Sequence, residues 1–339
     1  MWGAVFGGTP NRTGCSRSRL SVSTDDVKRK VYDAGACPLY HTRCFMGLGL
    51  LQAGCDGLLM GGVYASIAVG LSLSFGVMRI INWAQGEFLM VAMYVAFLFV
   101  NGTGWDPYLS LFVPAAFMGV LGYLLQKFVF NNMLDKEKSR EPLSILLFTA
   151  GMGILLTNVA QMLFGSLPIS SITKYASKGI HIGSLIISLP RLISFCIAVV
   201  LTIALNFFIQ KTETGRAIRA TSQNREVAQL MGIDHKRIYC LTFALGAALL
   251  GASAALLVPF YAVSPTMGGS FGFKSFIIVI LGGKGSILGC LIGGIIIGLI
   301  EKIGGLYWSD AYAQILVFAL FIVILLFKPN GLLSTDKDA

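Results

Sequence analysis

Charge is scarce in this chain. Only 12% of its 339 residues are Asp, Glu, Lys or Arg, where a soluble domain carries about 25%. That shortage excludes a disordered chain and a soluble globular enzyme. Histidine is scarcer still. His41, His181 and His235 are scattered and form no pair one helical turn apart, so a zinc-hydrolase helix is excluded. The seven cysteines never occur as C-x-x-C. Cys15, Cys37 and Cys44 fall in a polar N-terminal stretch; Cys55, Cys196, Cys240 and Cys290 fall in or beside apolar segments. Metal and disulfide use both need paired spacing, so these cysteines read as small apolar fillers and no metal site is expected. No G-x-S-x-G or H-E-x-x-H occurs. The nearest approaches to a phosphate loop, Gly283-Lys284-Gly285-Ser286 and Gly272-Phe273-Lys274-Ser275, lack the six-residue loop closing on Gly-Lys-Ser/Thr. The chain is therefore expected to be no enzyme, without an ATPase motif or catalytic residues of its own. No basic run interleaves with aromatics, so nucleic acid is not an expected partner.

What is abundant is apolar. Hydrophobic residues make up 55% of the chain, with 40 glycines and a mean hydropathy of +0.75. The expectation is an all-α polytopic membrane protein with about eight apolar segments, at least one of them discontinuous or re-entrant. The segments run roughly over 56–76, 86–101, 108–130, 143–165, 185–209, 238–262, 275–300 and 313–327. The seventh is interrupted by Gly282, Gly283, Lys284 and Gly285. Broken backbone at membrane depth is tolerated only where protein or a water-filled path surrounds it.

The net charge of +10 reads as topology, since Lys and Arg mark cytoplasmic loops. The 131–142 connection carries Lys136, Lys138 and Arg140; the 210–237 connection carries Lys211, Arg216, Arg219, Arg225, Lys236 and Arg237. Two spans separate these loops, so both face the cytoplasm. The 102–107 connection has no Lys or Arg and faces out, as does 166–184 by alternation. Strict alternation would leave both termini outside, against Lys328 directly after the last span. One re-entrant segment at 275–300 brings the C-terminus back inside, and that reading is preferred.

Residues 1–45 read as a disordered basic tail without a signal-peptide core. An alternative makes this tail non-native, with Met46 as the start. Residues 46–333 form the membrane domain, with 210–237 as a cytoplasmic loop, and 334–339 a short C-terminal tail.

Four groups of residues carry candidate function. Gly285, Gly289 and Gly293 recur every four residues, with Gly294 and Gly298 beside them; Ala247, Gly251 and Ala255 repeat the spacing. Such stripes let helix backbones approach closely, and packing between helices is their first reading. Asn82, Gln85, Gly86 and Glu87 follow Arg79 and surround Trp83. A charge at the bilayer centre costs about 2.5–3.5 kcal/mol on insertion scales, so Glu87 lines a wet path if it enters the membrane; a short interfacial loop anchored by Trp83 is the equal alternative. Gly282 and Gly283 belong to the break. The 210–237 loop reads as two short helices with an apolar side (Ala217, Ile218, Ala220; Val227, Ala228, Leu230, Met231, Ile233), ended by Gly232. Such pieces lie on a membrane surface or dock into a partner's groove.

Several stretches resemble one family. Ile81-Asn82-Trp83-Ala84-Gln85-Gly86-Glu87-Phe88 is similar to the signature after the first span of branched-chain amino acid ABC importer permeases. Gly215-Arg216-Ala217-Ile218-Arg219-Ala220 resembles the start of their coupling loop, and Glu226-Val227-Ala228 with Gly232-Ile233 resembles the Glu-Ala-Ala-then-Gly element of importer permeases. Ser264-Pro265-Thr266-Met267-Gly268, the glycine run from Leu281 to Gly294, and Lys328-Pro329-Asn330-Gly331-Leu332 resemble later motifs. The resemblance covers about residues 55–333 and favours the shorter of the family's two permease types. Trp83 and Gln85 stand where the family more often has Phe and His, and Val227 replaces a small residue.

The resemblance implies a permease subunit, in a bacterial inner membrane, of an ATP-driven importer for branched-chain or other neutral amino acids, or for urea or short amides. It implies two ATPase subunits that hydrolyse the ATP, a second permease chain of paralogous type, and a soluble solute-binding protein. This chain itself would bind no cofactor. Coupling to the ATPase falls on Arg216, Arg219, Glu226, Ala228, Gly232 and Asp234. The translocation path or its gate falls on Asn82, Gln85, Gly86, Glu87, Gly282 and Gly283, and helix packing on Gly285, Gly289, Gly293, Gly298 and Gly251. A stand-alone channel or secondary transporter leaves the 226–233 piece without a task, and a non-transporting scaffold leaves the broken segment and the 82–87 set unexplained.

Overall fold

A computed structural model of the protein describes residues 38–78, 80–136, 143–171, 179–182, 185–307, 309–328 and 331–332. Of the expected tail, residues 38–45 are helical; residues 1–37, Arg79, Lys138, Arg140 and the 334–339 tail lie outside the described residues. The chain divides into a unit of residues 1–46 and a unit of residues 47–339.

The elements are helical almost throughout. In order they are α1 (Pro38–Met78), α2 (Gln85–Thr103), α3 (Phe112–Leu125), a π-helical turn (Gln126–Phe130), α4 (Asn131–Lys136), α5 (Leu143–Phe164), α6 (Leu189–Lys211), α7 (Glu213–Gln223), α8 (Arg225–Leu230), α9 (His235–Leu257), α10 (Met267–Gly282), α11 (Ile287–Tyr307) and α12 (Asp310–Phe327). Before α6 comes a small antiparallel hairpin of β1 (Gly179–Ile182) and β2 (Leu185–Ser188), with Gly179 opposite Ser188 and Ile182 opposite Leu185. The apolar run that starts at 185 therefore opens as a strand, and its helix starts at Leu189 with Pro190 in the first turn, where a missing N–H costs nothing. Among the described residues, seven helices are long and apolar enough to cross a membrane, and α10 and α12 are shorter apolar helices. The chain is an all-α polytopic membrane protein.

The seventh apolar segment is discontinuous, as its glycines predict. Gly283 and Gly285 take φ of +101° and +81°, a region closed to most side chains. The break yields two helices, α10 and α11, folded back on each other with Gly282 against Gly289. Where the charge pattern led to one re-entrant segment at 275–300, the structure has a hairpin of two helices, of which α11 is long enough to span and α10 is shorter.

Contacts sort the connections into two ends. At one, Gln52 donates to the Ile186 carbonyl and accepts from its N–H at 2.6 and 3.0 Å, Arg191 pairs with Asp56 at 2.8 Å, and Ile169 and Val263 exchange backbone bonds at 2.8 Å. At the other, Asn131 donates to Cys240 Sγ at 3.4 Å, Gly76 meets Gly285, and Leu332 N–H donates to the Leu281 carbonyl at 2.8 Å. The second end also carries the basic 210–237 loop. The described C-terminal residues thus share an end with the basic loops.

Two helices form the centre. Val63, Ala65, Ala68 and Val69 of α1 and Leu250, Ala254, Ala255 and Leu256 of α9 are fully buried. The two cross where Gly70 and Gly246 face each other's carbonyls, and Ser66 and Ser253 share a hydroxyl hydrogen bond of 2.8 Å. Gly57 and Gly61 meet Gly298 and Gly294 in the same reciprocal way. Outer helices α5 and α6 instead expose Leu147, Ile154, Met162, Val200 and Phe207, a surface suited to lipid or another apolar chain.

Candidate translocation site and coupling surface

The segment between α1 and α2 turns back into the bundle rather than lying along its rim. Asn82 Oδ1 accepts from Ala84 N–H at 3.1 Å, an Asx turn that reverses the chain. Trp83 N–H donates to Thr149 Oγ1 at 3.2 Å, which pins the turn to α5. Asn82 and Gln85 are 2% and 6% exposed. With Asn82 Oδ1 committed, its Nδ2 has no hydrogen-bond partner, nor does Gln85 Nε2. A buried unpaired donor costs about 1–3 kcal/mol, so each of these two amide groups is suited to receive an acceptor.

That place is a small cavity of about 40 Å³ lined by Asn82, Gln85, Glu87, Trp83, Gly272 and Phe273, among others. It has room for about one water. Glu87 lies in the first turn of α2, where the partial positive charge of a helix N-terminus favours a carboxylate. The first turn of α10 meets it there: a side chain at Gly86 would overlap the Gly268 carbonyl and the Gly272 N–H. Two helix N-termini thus meet beside a cavity lined by two amide side chains and a carboxylate, with Gln85 Nε2 toward Gly70 on α1 and the Glu87 carboxylate against Gly153 on α5; broken helices in membrane proteins hold small polar solutes with such groups.

The structure brings together Asn82, Gln85, Gly86 and Glu87 but not Gly282 and Gly283. Those two lie at the far end of α10, where Gly282 packs on Gly289 and Gly283 on Gly331. Of the packing glycines, Gly298 faces Gly57 and Gly61 on α1, Gly289 and Gly293 face Gly282 and Ile278 on α10, and Gly251 faces the Pro114 carbonyl on α3. Gly285 lies in the break and not on a helix.

The 212–234 loop is built by caps. Thr212 Oγ1 accepts from Gly215 N–H at 3.0 Å to start α7. Asn224 Oδ1 accepts from Glu226 and Val227 N–H at 3.0 and 3.2 Å to start α8. Asp234 Oδ1 accepts from Lys236 N–H at 3.0 Å to start α9. Helix α8 ends on Gly232, with φ +83°. The Arg225 guanidinium lies 2.9 Å from His235 Nε2 and over the Tyr239 ring, tying α8 to α9. Arg219 turns inward and donates to the Ile209 carbonyl, Ala228 is buried, and Arg216 pairs with Glu213 at 3.4 Å. What the loop presents outward is Glu226 with Val227, Leu230 and Met231, the last two 86% and 78% exposed. Four of the six coupling candidates, Arg219, Ala228, Gly232 and Asp234, hold the loop's shape, and the apolar tip is its outward surface.

One cluster was not singled out from sequence. Lys274 Nζ lies 2.9 Å from Glu301 Oε2, and Tyr64 OH donates to Glu301 Oε1 at 3.2 Å. The available signal was two charges inside apolar helices.

Residues 55–325 match the family model described as branched-chain amino acid transport system / permease component. The chain belongs to this family. It is 32% identical over 309 residues to the high-affinity branched-chain amino acid transport system permease protein LivH of Escherichia coli K12, covering 86% of this chain and 97% of LivH. It is 31% identical over 300 residues to the permease protein BraD of the corresponding Pseudomonas aeruginosa system, covering 85% and 96%. The likeness to the solved PsaBC from Streptococcus pneumoniae in complex with Fab is loose: 16% identity and a TM-score of 0.42 over 84% of this chain and 92% of that one. This permease is thus a multi-pass cell-membrane protein.

Proposed function

We propose that this permease is the membrane-spanning subunit of an ATP-driven importer for branched-chain or other neutral amino acids, in a bacterial inner membrane. It works with two ATPase subunits, a second and paralogous permease chain, and a soluble binding protein that delivers the solute. The ATP is hydrolysed by the partners, and this chain binds no cofactor and is no enzyme. The observation that carries the reading is the 212–234 loop: capped at three places, tied to α9, and ending in an exposed Leu230-Met231 tip at the basic end. A channel or secondary transporter has no use for such a tip. An importer permease does, because ATPase subunits need a rigid apolar lever to push on.

The lever has a route to the cavity. The Arg225–His235–Tyr239 contacts fix α8 to the start of α9. Helix α9 crosses α1 at Gly246 and Gly70, and Gln85 Nε2 lies beside Gly70. A shift of the loop is delivered through α9 to the crossing, and from there to the amide donors and Glu87. With Gly at both crossing positions the helices touch backbone to backbone, leaving no flexible side chain to absorb the motion.

Purification of the tagged chain in mild detergent tests the reading. Recovery of ATPase subunits and a second permease is expected. A chain that comes alone and transports amino acids in liposomes without ATP overturns it.

A further inference from the structure

Lys274 is the one charge of α10, and Glu301 faces it from α11. The ammonium group also lies 3.5 Å from Tyr64 OH on α1 and over the rings of Tyr64 and Phe271, 5.0 and 5.7 Å from their centroids. Tyr261 meets Phe271 edge-on at 5.3 Å. Tyr261 belongs to the 258–266 connection, which Val263 ties to Ile169, at the end away from the basic loops. The ion pair therefore lies beneath the face at which solute arrives.

Folding alone is a weak reason for this pair. Two charges taken out of water lose hydration that their mutual attraction barely restores, and apolar replacements of like volume are often as stable or more so. Charged groups within membrane helices mark paths and binding sites by default. The side chains of the pair are 14% and 17% exposed, with Glu301 Oε2 itself buried, so a solute reaches it by displacing Lys274. An amino acid is a zwitterion, and its ammonium and carboxylate face the same loss of hydration on entering the bundle. A cation and an anion already paired can exchange partners with it, so that no charge is ever left alone.

We propose that Lys274 and Glu301 form an entry site for the zwitterionic head of the transported amino acid, pairing with each other when it is empty. On entry Lys274 and Tyr64 OH take the carboxylate, Glu301 takes the ammonium group, and the rings of Phe271 and Tyr261 flank the side chain. The proposal rests on the amino-acid reading above and goes beyond it by naming the groups that recognise the head.

The test uses the complete importer in proteoliposomes, with ATP inside and leucine-loaded binding protein outside. Absence of uptake by the unaltered importer refutes the amino-acid reading itself and not this site alone. Given uptake, two double variants are compared: K274E/E301K, which keeps a pair and reverses its polarity, and K274M/E301L, which removes both charges together. Each is expected to assemble with the ATPases and to lose at least tenfold in leucine uptake. Uptake within twofold of the unaltered importer in either variant shows a structural pair and overturns the proposal. A third measurement needs no substitution. A hydrophobic carbodiimide should modify Glu301 in the unaltered importer, and saturating leucine during turnover should lower that labelling at least threefold, read by peptide mass spectrometry. Labelling that leucine leaves unchanged overturns the proposal even if neither variant assembles.

Discussion

Leu230→Ala separates a docking role for the coupling tip from a structural one. Leu230 is 86% exposed, so its side chain contributes little to the fold, and substitution at such a site changes stability by no more than about 0.5 kcal/mol. If the tip seats in an ATPase groove, the same change removes three buried carbon groups. At about 0.8 kcal/mol each the loss is roughly 2.4 kcal/mol, or about 50-fold in affinity. Met231 is 78% exposed and is expected to behave alike. The assay is binding of isolated ATPase subunits to the nanodisc-embedded permease, read beside the thermal midpoint of the permease alone. The expected result is an affinity drop of tens-fold with an unmoved midpoint. Affinity within threefold, or a midpoint that falls in step with it, refutes the docking role.

Other perturbations probe other links. Gly61→Ala places a Cβ 2.7 Å from the Gly294 carbonyl oxygen and from Ile295 Cα, both backbone; overpacking of this kind costs about 1–3 kcal/mol, so the thermal midpoint should fall. Gly151 has nothing within 4 Å, and Gly151→Ala should leave the midpoint unchanged or raise it; equal effects at the two sites would contradict the packing account. Gly232→Ala should cost about 1–2 kcal/mol locally, because φ is +83° there. Gly232→Pro also removes the N–H that donates to the Gln229 carbonyl at 2.9 Å and should uncouple ATP hydrolysis from uptake; an unchanged ratio of solute moved to ATP consumed tells against it. Glu87→Gln keeps shape and removes charge at the cavity, and should lower uptake at least tenfold without loss of assembly; full uptake would take Glu87 out of the path.

Much of the fold was legible because composition decides it. Apolar runs long enough to span, the glycine interruption at 282–285 and the basic loops at 131–142 and 210–237 all act locally. The broken segment was visible from its charge between glycines, but its form was not: whether the two halves re-enter or pack as a hairpin depends on Gly282 meeting Gly289. The site was half legible. Asn82, Gln85 and Glu87 stand close in sequence, and one Asx turn turns them into the bundle. Lys274 was visible only as part of a failed phosphate loop, since its meaning comes from Glu301 on the next helix and Tyr64 on the first. In the 212–234 loop the residue types gave no hint that Arg219 turns inward while Leu230 turns out, because the inward turn is set by the Ile209 carbonyl at the end of α6.

The account stands most directly on ATP-dependent transport. Purified permease is reconstituted with its partner permease, ATPase subunits and binding protein, and leucine uptake is followed with and without ATP, and with and without the ATPase subunits. The account predicts uptake only when both ATP and the ATPase subunits are present. Uptake by the permease chains alone, unaffected by ATP, would contradict it.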